Sequence, residues 1–355
     1  WFMDYPHKPL PNLAIFFLLI LAAISAAIWS SSISTRSFKC HKSSRAGEGD
    51  GVDELEAALR GAATAERTVI ITVVNRAYTE EAEAVGGVGT MLDLFLESFW
   101  WGEGTRRLLP HLLVVAVDGA AYERCRFRRL RCFRLETEGV EFGAEKVYMS
   151  DDFIKMMWRR TQFLGEVLRR GYSFVFTDAD VLWLRDPFPI LGTHGGPDLQ
   201  ISMDRVWAGR QPESSKFINT GFYFVRSTPR TAALFRLWYA SRHRFPGQKE
   251  QDVLMELMRR GVFQNLSLPL RRLDTRRFSG FCQDSRDAAA VVTVHANCCR
   301  TISAKLSDLT AVLRTWARLR RPTPDRETGG VPLSWPPHHV ACSHSWATRT
   351  NSTEQ

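Results

Sequence analysis

Residues 174–188, FVFTDADVLWLRDPF, decide how the chain is read. A short apolar run, 174–176, stops at Thr177-Asp178-Ala179-Asp180, and a second run, VLWL at 181–184, follows at once. The pattern predicts a buried strand with two carboxylates at its carboxyl end. Two carboxylates in that position repel each other and lose hydration, so they need a cation or hydrogen-bond donors. An oxygen-rich pair suits Mn²⁺ or Mg²⁺, ions that keep positions open for phosphate oxygens. The competing reading is a solvated turn in which an Asp caps backbone amides.

Working outward, residues 152–170 carry apolar residues at helical spacing and stop at Gly171, a good helix terminator. Apolar, β-branched runs at 69–74 (VIITVV) and 112–117 (LLVVAV) predict strands ending at Asn75-Arg76 and Asp118-Gly119. Further strands are expected at 199–203, 221–225 and 291–294, the last ending at His295. Helices are expected at 231–243, 251–260 and 303–320. Strands alternating with helices argue for a mostly parallel α/β sheet, whose ligands bind beyond the carboxyl ends of its strands. Asn75, Asp118, Asp178, Asp180 and His295 all stand at such ends.

His295 is a candidate third metal ligand, and its imidazole would favour Mn²⁺ over Mg²⁺. The alternative is a hydrogen-bonded structural histidine. The adjacent Cys298-Cys299 lacks the Cys-x₂-Cys spacing of a zinc site. Asn219, Gln251 and Asp252 are candidates for holding sugar hydroxyls. They read equally as a turn residue and as first-turn helix residues favoured by the dipole. Arg159 and Arg160 are candidates for contacting a diphosphate, or are solvated charges. A phosphoryl-transfer reading of the Asp pair fails. The haloacid-dehalogenase pattern has Thr or Val where Leu182 stands, and its downstream Lys and acidic pair are missing.

The 355 residues are 45% hydrophobic and 24% charged, which excludes a disordered, collagenous or coiled-coil chain. The net charge of +9 comes with basic residues spread along the whole length, so nucleic acid is not an expected partner. Residues 13–29 (LAIFFLLILAAISAAIW) carry no charge and would span about 26 Å as a helix. They are read as a membrane signal anchor, a cleaved signal peptide being the alternative. The basic residues after this segment would by themselves put the bulk of the chain in the cytosol. Residues 30–65 read as a stem with little to form a core, and residues 322–355 as a Pro-rich tail. Sequons stand at Asn265 and Asn351. Cys125, Cys132, Cys282, Cys298 and Cys299 fall in or beside expected loops, where disulfides form if the compartment oxidises.

Residues 174–188, together with KMMWRR at 155–160, DLFLESF at 93–99, NTGF at 219–222, EQDV at 250–253, FSGFC at 278–282 and HANCC at 295–299, resemble the plant nucleotide-diphospho-sugar transferase family, glycosyltransferase family 77. The resemblance is colinear over roughly residues 66–320. It implies an α/β GT-A fold, a Rossmann-like mixed sheet flanked by helices, spanning 66–321. It implies a type II Golgi membrane protein: a short cytosolic tail at 1–12, the anchor at 13–29, and a lumenal catalytic domain. It implies transfer of a pentose or galactose from a UDP-sugar to a cell-wall polysaccharide or glycoprotein acceptor, with retention. By motif position, Asp178, Asp180 and His295 match the metal site, and Asn219, Gln251 and Asp252 line the sugar side. Asn75, Arg76, Arg159, Arg160 and Asp178 are expected near the nucleotide. Met255 stands where the family often has Asn, which puts one polar contact in doubt. Two other classes stay open: a catalytically silent scaffold of a Golgi glycan synthase complex, and a secreted binding protein.

Overall fold

Strand β1, Thr68–Val74, is buried on both faces. Val69 and Ile71 join the hydrophobic cluster on one face, Ile70 and Val74 that on the other. A strand covered on both sides reads as a continuous apolar run rather than an alternation. This computed structural model describes residues 53–80, 89–137, 142–145, 149–193, 195–205, 217–320 and 335–346. In it β1 pairs in parallel with β2 (Leu112–Ala116) and with β4 (Ser173–Thr177). The main sheet adds β3 (Arg131–Arg134), β6 (Leu199–Met203), β7 (Ile218–Val225) and β8 (Leu270–Arg272) in the order β3-β2-β1-β4-β7-β6-β8. β7 runs antiparallel to both neighbours, so the sheet is mostly parallel, as expected, with one reversed strand that makes it mixed. Apolar runs carry no direction, so periodicity could not reveal that reversal. A second sheet holds β5 (Val181–Trp183), β9 (Phe278–Gly280) and β10 (Thr293–His295) in the order β5-β10-β9.

The helices follow from local signals. α1 is Glu54–Ala62, α2 Met91–Trp101, α3 Gly119–Phe127 and α4 Asp151–Arg169. α5 is Pro229–Ser241, α6 Glu250–Arg259, α7 Ile302–Arg320 and α8 Val340–His344. The Ser150 side chain caps α4 by accepting from Phe153 N, and two aspartates in the first turn complement the dipole. The helix ends in a left-handed Gly171, with the Gly171 and Tyr172 amides returning to the Leu168 and Val167 carbonyls.

Two boundary expectations change. α1 lies inside the segment read as stem, yet Leu55, Leu59 and Ala62 are buried in the larger core cluster. Their spacing forms one apolar helical stripe, and Tyr172 Oη donates to Glu56 at 2.7 Å. The folded unit thus begins before residue 66. Part of the Pro-rich tail also folds. Asp308 of α7 accepts from Cys342 N at 2.8 Å, and Trp335 lies 6.2 Å from Trp316. Disulfides join Cys125 to Cys132, Cys282 to Cys298 and Cys299 to Cys342, so the tail holds the partner that Cys299 lacked in the sequence reading. Residues 1–29 and Asn351 lie outside the described residues, and no described helix is long and apolar enough to cross a membrane.

Candidate active site

β1 leads to β2 and β3 on one side, and the chain then returns to β4 on the other. The carboxyl ends of β1 and β4 therefore flank a topological switch point, where open α/β sheets bind ligands. Asp178 follows β4, and its amide donates to Gly221 O at 2.7 Å. Asp180 precedes β5, and its carbonyl accepts from Ala296 N at 3.1 Å. In the small sheet His295 stands opposite Val181. The two sheets thus bring Asp178, Asp180 and His295 together, with one ligand atom of each within 4.8 Å of the others.

His295 Nε2 lies 3.3 Å from Asp180 Oδ1 and 4.0 Å from Asp178 Oδ2. Lys305 Nζ of α7 pairs with Asp180 Oδ2 at 2.8 Å. Arg160 of α4 is 5% exposed and spans two carboxylates, Asp178 Oδ1 at 2.9 Å and Glu250 Oε1 at 2.6 Å. Thr220 Oγ1 lies 2.9 Å from the same Glu250 oxygen, and its amide donates to Gln251 Oε1 at 3.0 Å. Burial would raise the Asp180 carboxyl, but Lys305 and His295 outweigh it and hold it well below the carboxylate range. The cleft withdraws Asp178 from bulk water and raises its pKa in spite of Arg160. Burial opposes the His295 imidazolium, but Asp180 beside it raises the net pKa above the ordinary value. Lys305 is likewise held charged by Asp180 against burial.

These residues fit a divalent cation. Asp180 Oδ1 is buried and faces the cluster, with only His295 Nε2 beside it, at 3.3 Å, among the described residues. The donors are two carboxylates and an imidazole, a set that suits Mn²⁺. Arg160 and Lys305 are already paired with the carboxylates Asp178, Glu250 and Asp180, so a divalent cation would add the positive charge that favours a diphosphate here. Metal binding must displace the protons that His295 and Asp178 retain more readily than usual. Mn²⁺ affinity is therefore expected to fall by about tenfold per pH unit below the His295 pKa, one proton being released per ion. Isothermal titration between pH 8 and 6 checks this, and a flat affinity would remove His295 from the ligand set.

Other expected residues divide. Asn75 lines the cleft, donates to Phe142 O at 2.7 Å and Ala144 O at 3.1 Å, and keeps a buried Oδ1 without a donor among the described residues. Asn219 and Gln251 also line the cleft. Asn219 lies within β7 rather than before it, donates to Asp204 at 2.8 Å, and accepts from Gly221 N. Arg76 does not reach the cleft. Its amide donates to Asp118 Oδ2, and its side chain pairs with Glu80 at 3.6 Å. Asp118 is an N-cap, accepting from Ala121 N. Arg159 points away from the cleft because successive helical residues turn by about 100°. Asp252 lies outside the cleft lining, where burial raises its carboxyl. Met255 packs against the larger core cluster, so that departure does not touch the cleft.

Sequence reasoning missed Lys305, Glu250 and Tyr78. Tyr78 lines the cleft, and burial pushes its hydroxyl far above the phenol range, which keeps it a neutral donor. Glu250 sat in the EQDV motif beside the two residues chosen. Lys305 had one signal, being one of 8 lysines among 47 basic residues.

A mixed α/β sheet with a buried carboxylate–histidine cluster at its switch point is the architecture of an enzyme handling a phosphorylated ligand with a cation. The family model for nucleotide-diphospho-sugar transferases matches residues 107–309, over half of the chain. The Arabidopsis thaliana protein At1g28695 is 54% identical over 297 residues, 83% of this chain and 85% of that protein. The β-arabinofuranosyltransferase RAY1 of the same plant is 26% identical over 183 residues, 51% of this chain and 31% of that protein. The solved structure of mouse xyloside xylosyltransferase 1 is a remote likeness, with TM-score 0.39 and 13% identity over 65% of this chain and 98% of that one. The chain belongs to the nucleotide-diphospho-sugar transferase family and is a glycosyltransferase that uses a nucleotide-sugar.

Proposed function

We propose that this GT-A enzyme transfers a sugar from a UDP-sugar to a cell-wall polysaccharide or glycoprotein, in a divalent-metal-dependent reaction that retains anomeric configuration. The observation that carries the reading is the convergence of Asp178, Asp180 and His295 on one buried point of the cleft. The relative RAY1, by name a β-arabinofuranosyltransferase, favours a pentose donor. Three disulfides favour an oxidising compartment, consistent with a Golgi lumenal domain behind the 13–29 anchor.

Asp178, Asp180 and His295 would hold Mn²⁺, or Mg²⁺ in its place. When bound, the ion supplies Lewis-acid stabilisation of the negative charge on a departing diphosphate. The chain's own residues do the rest. Lys305 stays protonated at the cleft and adds a fixed positive charge toward the phosphates. Arg160, locked between Asp178 and Glu250, orients the first aspartate instead of reaching for phosphate. The open Asn75 Oδ1 offers an acceptor to a base N–H, and the Tyr78 ring offers it an apolar face. Asn219 and Gln251 face the sugar. Gln251 Oε1 already accepts the Thr220 amide, and Asp252 is off the cleft, so neither is placed as a nucleophile. Attack on the same face as the leaving phosphate accounts for retention better than a double displacement.

The test is UDP release by the full chain across a panel of UDP-sugars, with Mn²⁺, Mg²⁺ or EDTA. Mn²⁺-dependent release from one sugar is the expected result. Failure to bind UDP in the presence of Mn²⁺ would overturn the reading in favour of a silent scaffold.

A further inference from the structure

α4 has two working faces. Phe153, Met157 and Arg160 turn to the catalytic cleft, while Lys155, Trp158, Arg159 and Gln162 line a separate groove on the other side of the helix. That groove has a volume of about 580 Å³ and is flanked by Tyr239 of α5, by Arg242 at the end of that helix, and by Glu136 and Thr137 after β3. It holds two guanidiniums without a carboxylate partner among the described residues. Arg159 is half-buried and donates only to neutral oxygens: Thr137 Oγ1 at 3.1 Å, Gln162 Oε1 at 3.1 Å and Glu136 O at 2.9 Å. Burial lowers its pKa with no carboxylate to offset it. Arg242 lies flat over the Tyr239 ring, 3.7 Å from its centroid, and makes one bond, to Tyr239 O at 2.8 Å. Its other N–H donors have no hydrogen-bond partner among the described residues, and the ring packs against the planar fork.

A guanidinium bonded only to neutral groups keeps its charge for an arriving anion, and the Glu136 carboxylate at the groove is paired with Arg134 at 3.3 Å. The buried arginine of the catalytic cleft shows the contrast: Arg160 has two carboxylates. The groove is also walled by rings, with Trp158 and Tyr239 6.5 Å apart and edge-on, and by the Thr137 hydroxyl and Gln162 amide. Fixed cationic forks, aromatic walls and neutral polar groups together match a carboxylate-bearing sugar.

We infer that this groove is a second binding site, distinct from the donor cleft, that takes a uronate-containing stretch of an acidic oligosaccharide. The inference rests on the glycosyltransferase reading only for its use. Lying one helix diameter, about 10 Å, from the cleft, the site would tether an acidic acceptor polymer while its end enters the cleft. A tether of this kind raises the local concentration of acceptor without touching the reacting atoms.

The experiment is equilibrium binding of an α-linked galacturonic acid hexamer to the full chain without UDP-sugar, against its carboxyl-reduced neutral counterpart and inorganic phosphate. The acidic hexamer is expected to bind, more weakly as salt rises. The neutral hexamer is expected to bind at least about tenfold more weakly. Arg242→Ala, at a partly exposed position at the end of α5, is expected to weaken the acidic hexamer by about tenfold, with Arg242→Lys recovering part of the loss. Equal binding of the neutral hexamer, or no effect of Arg242→Ala, would overturn the inference. So would phosphate binding alone, which would assign the groove to a free anion. UDP-sugar hydrolysis by the same unmodified preparation reads the donor cleft separately, so failure of either reading is visible without the other.

Discussion

Asp180→Asn lowers Mn²⁺-dependent UDP-sugar turnover by about 10³-fold or more, because several kcal/mol of charge stabilisation on the leaving diphosphate depend on the ion it holds. The asparagine keeps the volume and an oxygen that can accept from Lys305, so it costs less stability than a truncation. Asp180→Ala is a poorer probe, and the structure says why. Asp180 Oδ2 is the partner of Lys305 Nζ at 2.8 Å, and both side chains are largely buried, at 3% and 17% exposure. Removing the carboxylate altogether strands an ammonium in the core, which costs about 3 kcal/mol or more of stability. Denaturant unfolding of both variants, beside UDP release, separates the two effects. Near-normal turnover in the Asn variant would sink the metal assignment.

Gly221→Ala is expected to lower Mn²⁺ affinity by about 10- to 100-fold, with turnover falling alongside, as an overpacking strain of about 1–3 kcal/mol falls on the ligands themselves. A Cβ built at this position would lie 2.4 Å from His295 Cε1, 2.7 Å from Asp178 Oδ2 and 2.8 Å from Asn219 Oδ1. None of the three can step aside freely. His295 ends a strand, Asp178 is held by Arg160, and Asn219 bonds both Gly221 N and Asp204. Glycine is required here for closeness of approach, since no left-handed backbone is involved. Mn²⁺ titration of the variant reads the effect directly. Unchanged affinity would mean that the histidine and the aspartate are not held against this strand.

Much of the centre was legible in the linear chain. The Asp pair could be read because a carboxylate at the end of a buried strand is anomalous wherever it occurs. His295 shared that anomaly, as the polar end of a short apolar run. Arg159 and Arg160 show the limit. As neighbours on one helix they were treated alike, but the helix turns one into the cleft and the other into the second groove. Asn75 survived as a cleft residue, whereas Arg76, one position on, turned outward to Glu80. α1 was placed in a stem, because its apolar stripe of three residues is too short to announce a core contact.

From sequence alone came the strand–carboxylate centre, the family, and the identity of the three candidate metal ligands. These depend on local order: an apolar run, a polar stop, a spacing within one motif. Only the tertiary structure decided that Lys305, 125 positions from Asp180, is its ion-pair partner and that Glu250 is locked to Arg160. It also decided the reversal of β7 and the closure of Cys299 by Cys342. Each of those joins segments far apart in the chain, and their pairing is set by how the two sheets and α7 pack, which no local pattern of residues records.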